Sequence, residues 1–174
     1  MPNMTGTTTL PEAGRSPAHR RLMSVLDGSF VDYRVIDHEA EGHTLRASDL
    51  RGHEPAKAAK CMVVQVRKKA TDARVTVLAV VPGDRRVDFK KVRRLFGGAD
   101  ASLADQSLAE RITGCVSGCI IPFSFDAGLH LVVDPGLLVH DEIYFNAARL
   151  DQSIALDTEH FRALSDPLVA PIAR

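Results

Sequence analysis

The sequence predicts an α+β fold: a single domain in which helices flank a mixed, largely antiparallel sheet. Two β-branched runs, "KCMVVQVRKK" and "RVTVLAVVP", are separated by a short polar link and therefore read as an antiparallel hairpin. Amphipathic stretches with helix caps stand apart from the strand-like runs, without a regular alternation of strand and helix. With 174 residues, 45% hydrophobic and 25% charged, the chain can bury one substantial core.

The N-terminal residues 1–15 are predicted to be a poorly ordered leader. They are rich in Thr, Gly and Pro, lack apolar periodicity and lack the apolar stretch of a secretory signal. The predicted domain therefore covers residues 16–174. No window approaches the roughly 18 apolar residues that a membrane span needs. Three cysteines in a chain of this size indicate reduced thiols, and hence a cytoplasmic protein.

Helix and strand signals mark the first part of the domain. A serine cap and a first-turn proline predict a helix over residues 17–27. The alternating pattern of "VDYRVIDH" predicts a strand over residues 31–38. A short helix is predicted over residues 44–50, capped by Thr44 and stopped by Gly52. The hairpin follows.

The second part of the domain begins with two capped helices. Asp88 can cap "FKKVRRLFGG", whose basic residues are concentrated on its exposed side, and Asp105 can cap "QSLAERITG". Strand-like runs "LHLVVD" and "EIYFNAA" come later, followed by the short "SIALD" and a closing helix from Thr158.

Charge is distributed unevenly, although the net charge is zero. Between Arg67 and Arg94 there are ten Lys or Arg residues and three Asp or Glu residues. Such a segment can supply the sequence-independent phosphate contacts of nucleic-acid binding. A charge run can equally be a solvated face without a partner.

The stretch "TGCVSGCIIP" places two cysteines four residues apart among glycines. A structural zinc site needs a second ligand pair, and an efficient dithiol motif has a Cys-x-x-Cys spacing, so neither a metal nor a redox cofactor is predicted. The cysteines are expected to be small buried side chains. What remains is the backbone, because Gly114 and Gly118 permit exposed amide groups that can bind an oxyanion. An ordinary tight loop is the alternative.

Five segments resemble, in order, the YbaK/ProX family of trans-editing aminoacyl-tRNA deacylases, which is related to the editing insertion domain of bacterial prolyl-tRNA synthetase. The resemblance runs from about Arg21 to the last helix. It implies a compact domain around a strongly curved mixed sheet, without a cofactor, that hydrolyses the ester of mischarged aminoacyl-tRNA. The segments are "AAKCMVVQV", "VLAVVPGDRRVDFKKVRRLFGG", "ADQSLAERITGCVSGCIIPF", the "VVD" ending at Asp134, and "IYFNAARLDQSIAL".

The resemblance also implies a set of site residues. Lys60 would hold the terminal phosphate or the ester carbonyl, and amides near Gly118 and Cys119 would stabilise the tetrahedral oxyanion. The acceptor end of the tRNA is the expected partner, and an aminoacyl-tRNA synthetase is a second candidate. The substrate-binding residues expected are His43, Thr44, Gly114, Ser117, Pro122, Asn146 and Ser153. The tRNA-binding residues expected are Arg85, Arg86, Lys90, Lys91, Arg93 and Arg94.

Two positions depart from the family pattern. This chain has Asn146 where many relatives have Ser or Gly, and it has Ser153 where many have Asp. An aromatic residue often found before the lysine is also missing. A polar pocket would favour Ser, Thr or Ala, because a site that hydrogen-bonds a hydroxyl discriminates well. Two alternatives remain open: a non-catalytic module that binds tRNA or a synthetase, and a hydrolase of another acyl ester that would need no basic patch.

Overall fold

The computed structural model describes residues 15–174, so nearly all of the predicted leader lies outside the described residues. The helices are α1 (Pro17–Gly28), α2 (Thr44–Arg51), α3 (Phe89–Leu95), α4 (Gln106–Thr113) and α5 (Thr158–Ser165). The strands are β1 (Tyr33–Asp37), β2 (Ala59–Lys68), β3 (Arg74–Pro82), β4 (Gly98–Leu103), β5 (Leu129–Val133), β6 (Glu142–Arg149), β7 (Gln152–Asp157) and β8 (Leu168–Val169).

The strands form two sheets, which confirms the predicted α+β class with largely antiparallel pairing. The smaller sheet has the order β1-β7-β6 and is antiparallel. The larger has the order β4-β2-β3-β5-β8, in which β5 runs parallel to β3 and β8 runs parallel to β5. A parallel bridge between Ala58 and Tyr144 joins the two sheets. The start of β2 therefore lies beside β6.

The predicted hairpin of β2 and β3 carries a core on each of its faces. Side chains alternate along a strand, so a nearly continuous apolar run can be buried on both sides. One face, including Leu78, packs with Leu22 of α1 and Phe145 of β6. The other face, including Val64, packs with Val92 of α3 and with the C-terminal segment. Both clusters consist of buried side chains, which fixes the hairpin as the centre of the domain.

The C-terminal segment is fastened by Asp134, the residue that ends the "VVD" run. One oxygen of its buried carboxylate accepts the backbone N–H groups of Ile172 and Ala173, both at 2.8 Å. The other oxygen accepts the N–H of Gly136 at 2.8 Å. Three donors on one carboxylate explain why a charge can be buried here.

Most predicted elements are confirmed, with three differences. The N-cap of α2 is His43 rather than Thr44, and no side chain caps it. Strand β4 was not predicted, because "GADASL" contains no β-branched or aromatic residue; its pairing with β2 is what makes it a strand. Strand β8 is two residues long, too short to leave a sequence pattern. No helix in residues 15–174 is long and apolar enough to cross a membrane.

Candidate active site

A cavity of about 240 Å³ opens where the two sheets meet. Helix α2 forms one wall, the start of β2 another, and the loop after α4 lies opposite residues of β6. The residues that line it are Gly42, Thr44, Ala47, Arg51, Ala59, Lys60, Cys61, Met62, Gly118, Ile120, Phe145 and Asn146.

Lys60 and Gly118, which the resemblance singled out, face this same cavity. Lys60 is the second residue of β2 and is in register with Val81 of β3. Its Nζ donates to the carbonyl oxygen of Arg85 at 3.2 Å. The amine therefore stands between the cavity and the segment that begins the basic surface.

The Gly118 loop has a geometry that requires glycine. Gly118 has φ +94°, and a Cβ added there would lie 3.0 Å from Cα of Gly42. Next to it, the carboxylate of Glu110 accepts the N–H of Ser117 at 3.0 Å. This bond and the contact with Gln106 lower the pKa of Glu110. The loop is thus held by α4 on one side and by close contact with Gly42 on the other.

The two amides expected to bind the oxyanion differ in their hydrogen bonds. The amide of Cys119 already donates to the carbonyl oxygen of Val116 at 3.1 Å, and its thiol donates to the same oxygen. Burial raises the pKa of the Cys119 thiol to about 11. The Gly118 amide, in contrast, has no hydrogen-bond partner among residues 15–174. The roles of both amides stay predictions, and in the part of the chain that the structure describes the Gly118 amide is the one with a free donor.

Asn146 connects the wall of the cavity to the loop. Its Nδ2 donates to the carbonyl oxygens of Glu41 at 3.0 Å and Gly118 at 3.3 Å. Behind it lies Ser153, fully buried, with its Oγ 3.0 Å from Oδ1 of Asn146 and 2.7 Å from Nε2 of His38. Of the two positions that depart from the family pattern, Asn146 lines the cavity, and Ser153 lies behind Asn146 and hydrogen-bonds to it.

Of the other residues expected to bind the substrate, one lines the cavity and the others lie outside it. Thr44 lines the cavity, whereas His43 is exposed at the start of α2 and is absent from the lining. Gly114 ends α4 with φ +68°, and Pro122 is buried in the chain after the loop. Ser117 donates to Glu110. Gly114, Ser117 and Pro122 are therefore part of the loop after α4 but do not line the cavity.

Among the lining residues that were not expected from the sequence, Arg51 is the one with a charged side chain. Its Nε donates to Nε2 of His53 at 3.0 Å, and its Nη1 lies 3.3 Å from both Oδ1 of Asn146 and Oγ of Ser153. Burial lowers its pKa to about 10. In sequence it is an ordinary basic residue in the last turn of a helix, where a cation is favourable anyway. Nothing in the pattern therefore marked it.

His53 orients the Arg51 side chain. Its ring stacks on Tyr144 with the centroids 3.7 Å apart and an interplanar angle of 16°. Burial, together with the charges of Arg51 and Lys57, lowers the pKa of His53 to about 4. The neutral ring donates from Nδ1 to the carbonyl oxygen of Glu54 at 2.8 Å, which leaves Nε2 to accept from Arg51.

The basic residues expected to contact tRNA lie on the segment after β3 and on α3. Arg85, Arg86, Lys90 and Arg94 are exposed, and Arg93 is half-buried. Lys91 is also half-buried, with its Nζ donating to the carbonyl oxygen of Ala173 at 2.7 Å. Lys91 therefore fastens the C-terminal segment, and the exposed residues form a surface that starts beside Lys60.

Comparisons with known proteins agree on one family. The family model for the aminoacyl-tRNA editing domain matches residues 39–164. The multifunctional Ser/Thr-tRNA deacylase ProXp-y of Escherichia coli K12 is 38% identical over 153 residues, which cover 87% of this chain and 90% of that protein.

A longer enzyme and a solved structure match as well. The proline–tRNA ligase of Desulforamulus reducens is 26% identical over 132 residues, which cover 76% of this chain and 20% of that enzyme. A crystal structure described as a candidate trans-editing enzyme for prolyl tRNA synthetase superposes with a TM-score of 0.76 at 23% identity, covering 92% of this chain and 99% of that one. At that identity the likeness establishes the fold.

Proposed function

Because this chain belongs to the aminoacyl-tRNA editing domain family and hydrolyses mischarged aminoacyl-tRNA in trans, we propose that the amino acids it removes are serine and threonine. The name of the Escherichia coli relative, a Ser/Thr-tRNA deacylase, supports this choice. The polar wall of the cavity supports it independently, because side-chain oxygens would meet hydrogen-bond donors there.

The size of the cavity supports a small acyl group. Its 240 Å³ lies below the roughly 300 Å³ at which pockets for drug-sized ligands begin. Ala47, Met62 and Phe145 give it apolar surface, while Thr44 and Asn146 contribute polar groups. A bulky aliphatic or aromatic side chain would need more room and would leave the polar groups unpaired.

In the mechanism we propose, the ester carbonyl oxygen lies against the N–H of Gly118. Water attacks the carbonyl carbon, and the amide stabilises the negative charge that develops on the oxygen. Lys60 would hold the terminal phosphate or the ester carbonyl as a positive point charge. The substrate brings a ribose hydroxyl next to the ester, and this neighbour would take the proton of the water while passing its own proton to the ester oxygen of the ribose, so that proximity replaces a side-chain base. Collapse of the tetrahedral intermediate would then break the bond between the carbonyl carbon and that ribose oxygen, which releases the free amino acid and the tRNA with its hydroxyl restored.

The exposed basic residues that begin beside Lys60 and continue along α3 would bind the acceptor end of the tRNA. Arg85 and Arg86 follow β3 directly, and Lys90 and Arg94 continue the surface along α3. Phosphate contacts of this kind give affinity without reading sequence. We further propose that the protein works in the cytoplasm beside an aminoacyl-tRNA synthetase; the match to part of a proline–tRNA ligase supports such a partner.

One observation carries the proposal: Lys60 and Gly118 face one small cavity with a polar wall. The test measures deacylation of tRNAs charged with serine, threonine, alanine, cysteine, valine and leucine by the wild type and by Lys60→Ala. Lys69→Ala, in the exposed turn at the far end of the hairpin, is the matched control.

We expect the wild type to release serine and threonine fastest. Lys60→Ala should lower kcat/KM by about 100-fold or more, as the loss of a group that stabilises the transition state does in other hydrolases. Lys69→Ala should match the wild type. Fastest turnover of valine or leucine esters would contradict the substrate proposal, and an unchanged Lys60→Ala would contradict the role of the amine.

A further inference from the structure

We propose that Arg51 binds the side-chain oxygen of the amino acid in the cavity and so makes the enzyme selective for hydroxyl-bearing side chains. The inference rests on the proposed serine and threonine substrates and adds the residue that recognises them. Arg51 is a specificity residue in this proposal, distinct from the loop and the lysine that act on the ester.

The guanidinium has a donor available for a ligand. Nε is engaged by His53, and Nη1 is shared between Asn146 and Ser153. Nη2 makes no hydrogen bond with any residue in 15–174. It is also absent from the buried atoms of that region that lack a partner, so it retains accessible surface. Arg51 is also one of the residues that line the cavity.

The partners of Arg51 leave its charge uncompensated. All three contacts described above are to neutral groups, because His53 titrates far below neutral pH. Within the described chain, no carboxylate lies within 4.0 Å of the guanidinium nitrogens. A largely buried cation without a counter-ion gains from any oxygen that enters the cavity. An oxygen on the substrate is the ligand that the reaction itself brings.

The position of Arg51 favours the amino-acid side chain over a tRNA phosphate. Its Nη1 lies against Asn146 and Ser153, both of which are buried. Lys60, in contrast, is bonded to the Arg85 carbonyl, where the exposed basic surface begins. The phosphates of the acceptor end would therefore approach the Lys60 side. Arg51, beside the buried Asn146 and Ser153, would then contact the side chain of the amino acid.

In a serine or threonine ester, the side-chain hydroxyl oxygen would accept a hydrogen bond from Nη2 of Arg51. An alanine ester fits the same space but brings no side-chain oxygen to that donor. Charged hydrogen bonds of this kind are among the stronger ones in proteins. The selectivity of the enzyme for hydroxyl-bearing amino acids should accordingly depend on Arg51.

The experiment compares kcat/KM on seryl-, threonyl- and alanyl-tRNA for the wild type, Arg51→Met and Arg51→Lys. Arg46→Met is the matched control, because Arg46 is an exposed arginine on the same helix. Thermal unfolding of every variant is measured alongside. For Arg51→Met we expect a loss of about 10- to 100-fold on the serine and threonine esters, with the alanine ester within about 3-fold of wild type. Arg51→Lys should keep part of the preference, and Arg46→Met all of it.

Three results would overturn the inference. An equal loss on all three esters in a folded variant would assign Arg51 to phosphate binding or to support of the loop. Wild-type rates on all three esters would show that no part of recognition depends on Arg51. If Arg51→Met does not fold, Arg51→Lys decides alone, and a wild-type ratio there with all rates lowered counts against the inference. A wild type that releases none of the three amino acids would instead refute the proposed substrates, before any variant is compared.

Discussion

The close approach of Gly42 and Gly118 is the residue-scale feature on which the proposed chemistry depends. Each glycine would place an added Cβ against the other's backbone, at 3.2 Å for Gly42 and 3.0 Å for Gly118. Gly118 also has a positive φ, which side chains rarely adopt, whereas no such angle occurs at Gly42. The same contact can thus be disturbed from either side, with backbone strain on one side alone.

Gly118→Ala should lower kcat/KM by about 100-fold, because the loop must shift and its amide leaves the position of the oxyanion. Gly42→Ala should cause a smaller loss, since a shift of a few tenths of an ångström relieves its contacts. The measurement is single-turnover deacylation of seryl-tRNA. Gly28→Ala, at a glycine where a Cβ meets nothing within 4 Å, should leave the rate unchanged. Equal rates for Gly118→Ala and Gly28→Ala would remove the loop amide from the mechanism.

At the scale of residues, the sequence predicted the cavity in part. Lys60, Gly118, Thr44 and Asn146 were expected and lie in its lining. Their motif positions could be recognised because a family keeps its chemistry at fixed places along the chain. Arg51 could not be recognised in this way. Its importance comes from burial without a counter-ion, which is a property of the folded chain.

At the scale of elements, α3 combines a structural face and a binding face. Asp88 caps it by accepting the N–H groups of Lys90 and Lys91. Val92 packs into the core, and Lys91 fastens the C-terminal segment. Lys90 and Arg94 point to solvent. The sequence predicted this helix and its exposed basic side. It could not show that the Lys91 amine donates to a backbone carbonyl, and the expected contact of Lys91 with tRNA stays a prediction.

Reversing the two exposed charges, Lys90→Glu with Arg94→Glu, should weaken tRNA binding while kcat changes little. The slope of log K against log salt is negative, and each lost phosphate contact makes it shallower by about 1. We therefore expect the slope of the double variant to be shallower than that of the wild type by about 1 to 2. Binding of uncharged tRNA is measured across a salt series. Arg20→Glu with Arg162→Glu, at exposed positions on α1 and α5, is the control with equal net charge. Equal slopes for the two double variants would place the tRNA elsewhere.

At the scale of the whole molecule, the junction between the sheets determines both the cavity and its stability. The Ala58–Tyr144 bridge joins β6 to the start of β2, and His53 stacks on Tyr144 at this point. The α+β class and the hairpin could be predicted, because local periodicity specifies them. The division into two sheets could not, since it depends on which strands meet after folding.

The junction should make the protein sensitive to mild acid. The pKa of His53 falls from 6.5 to about 4 on folding, chiefly through burial, and burial also lowers that of His19. Between these values the unfolded chain binds protons that the folded chain excludes, so the free energy of unfolding should decrease as the pH falls from 6.5 towards 4. Protonated His53 would also lose its acceptor for Arg51 and place two cations side by side.

Denaturant unfolding at pH 7, 6 and 5 tests this expectation in a range where the carboxylates with lowered pKa, such as those of Asp88, Glu142 and Asp151, stay ionised. The wild type should lose stability at each step. His53→Gln keeps an oxygen that can accept from Arg51 and has no titrating group, so its free energy of unfolding should depend less on pH. His130→Gln, at an exposed position on β5, should follow the wild type. If the curves of His53→Gln and the wild type are parallel, the junction is not where protons destabilise the fold.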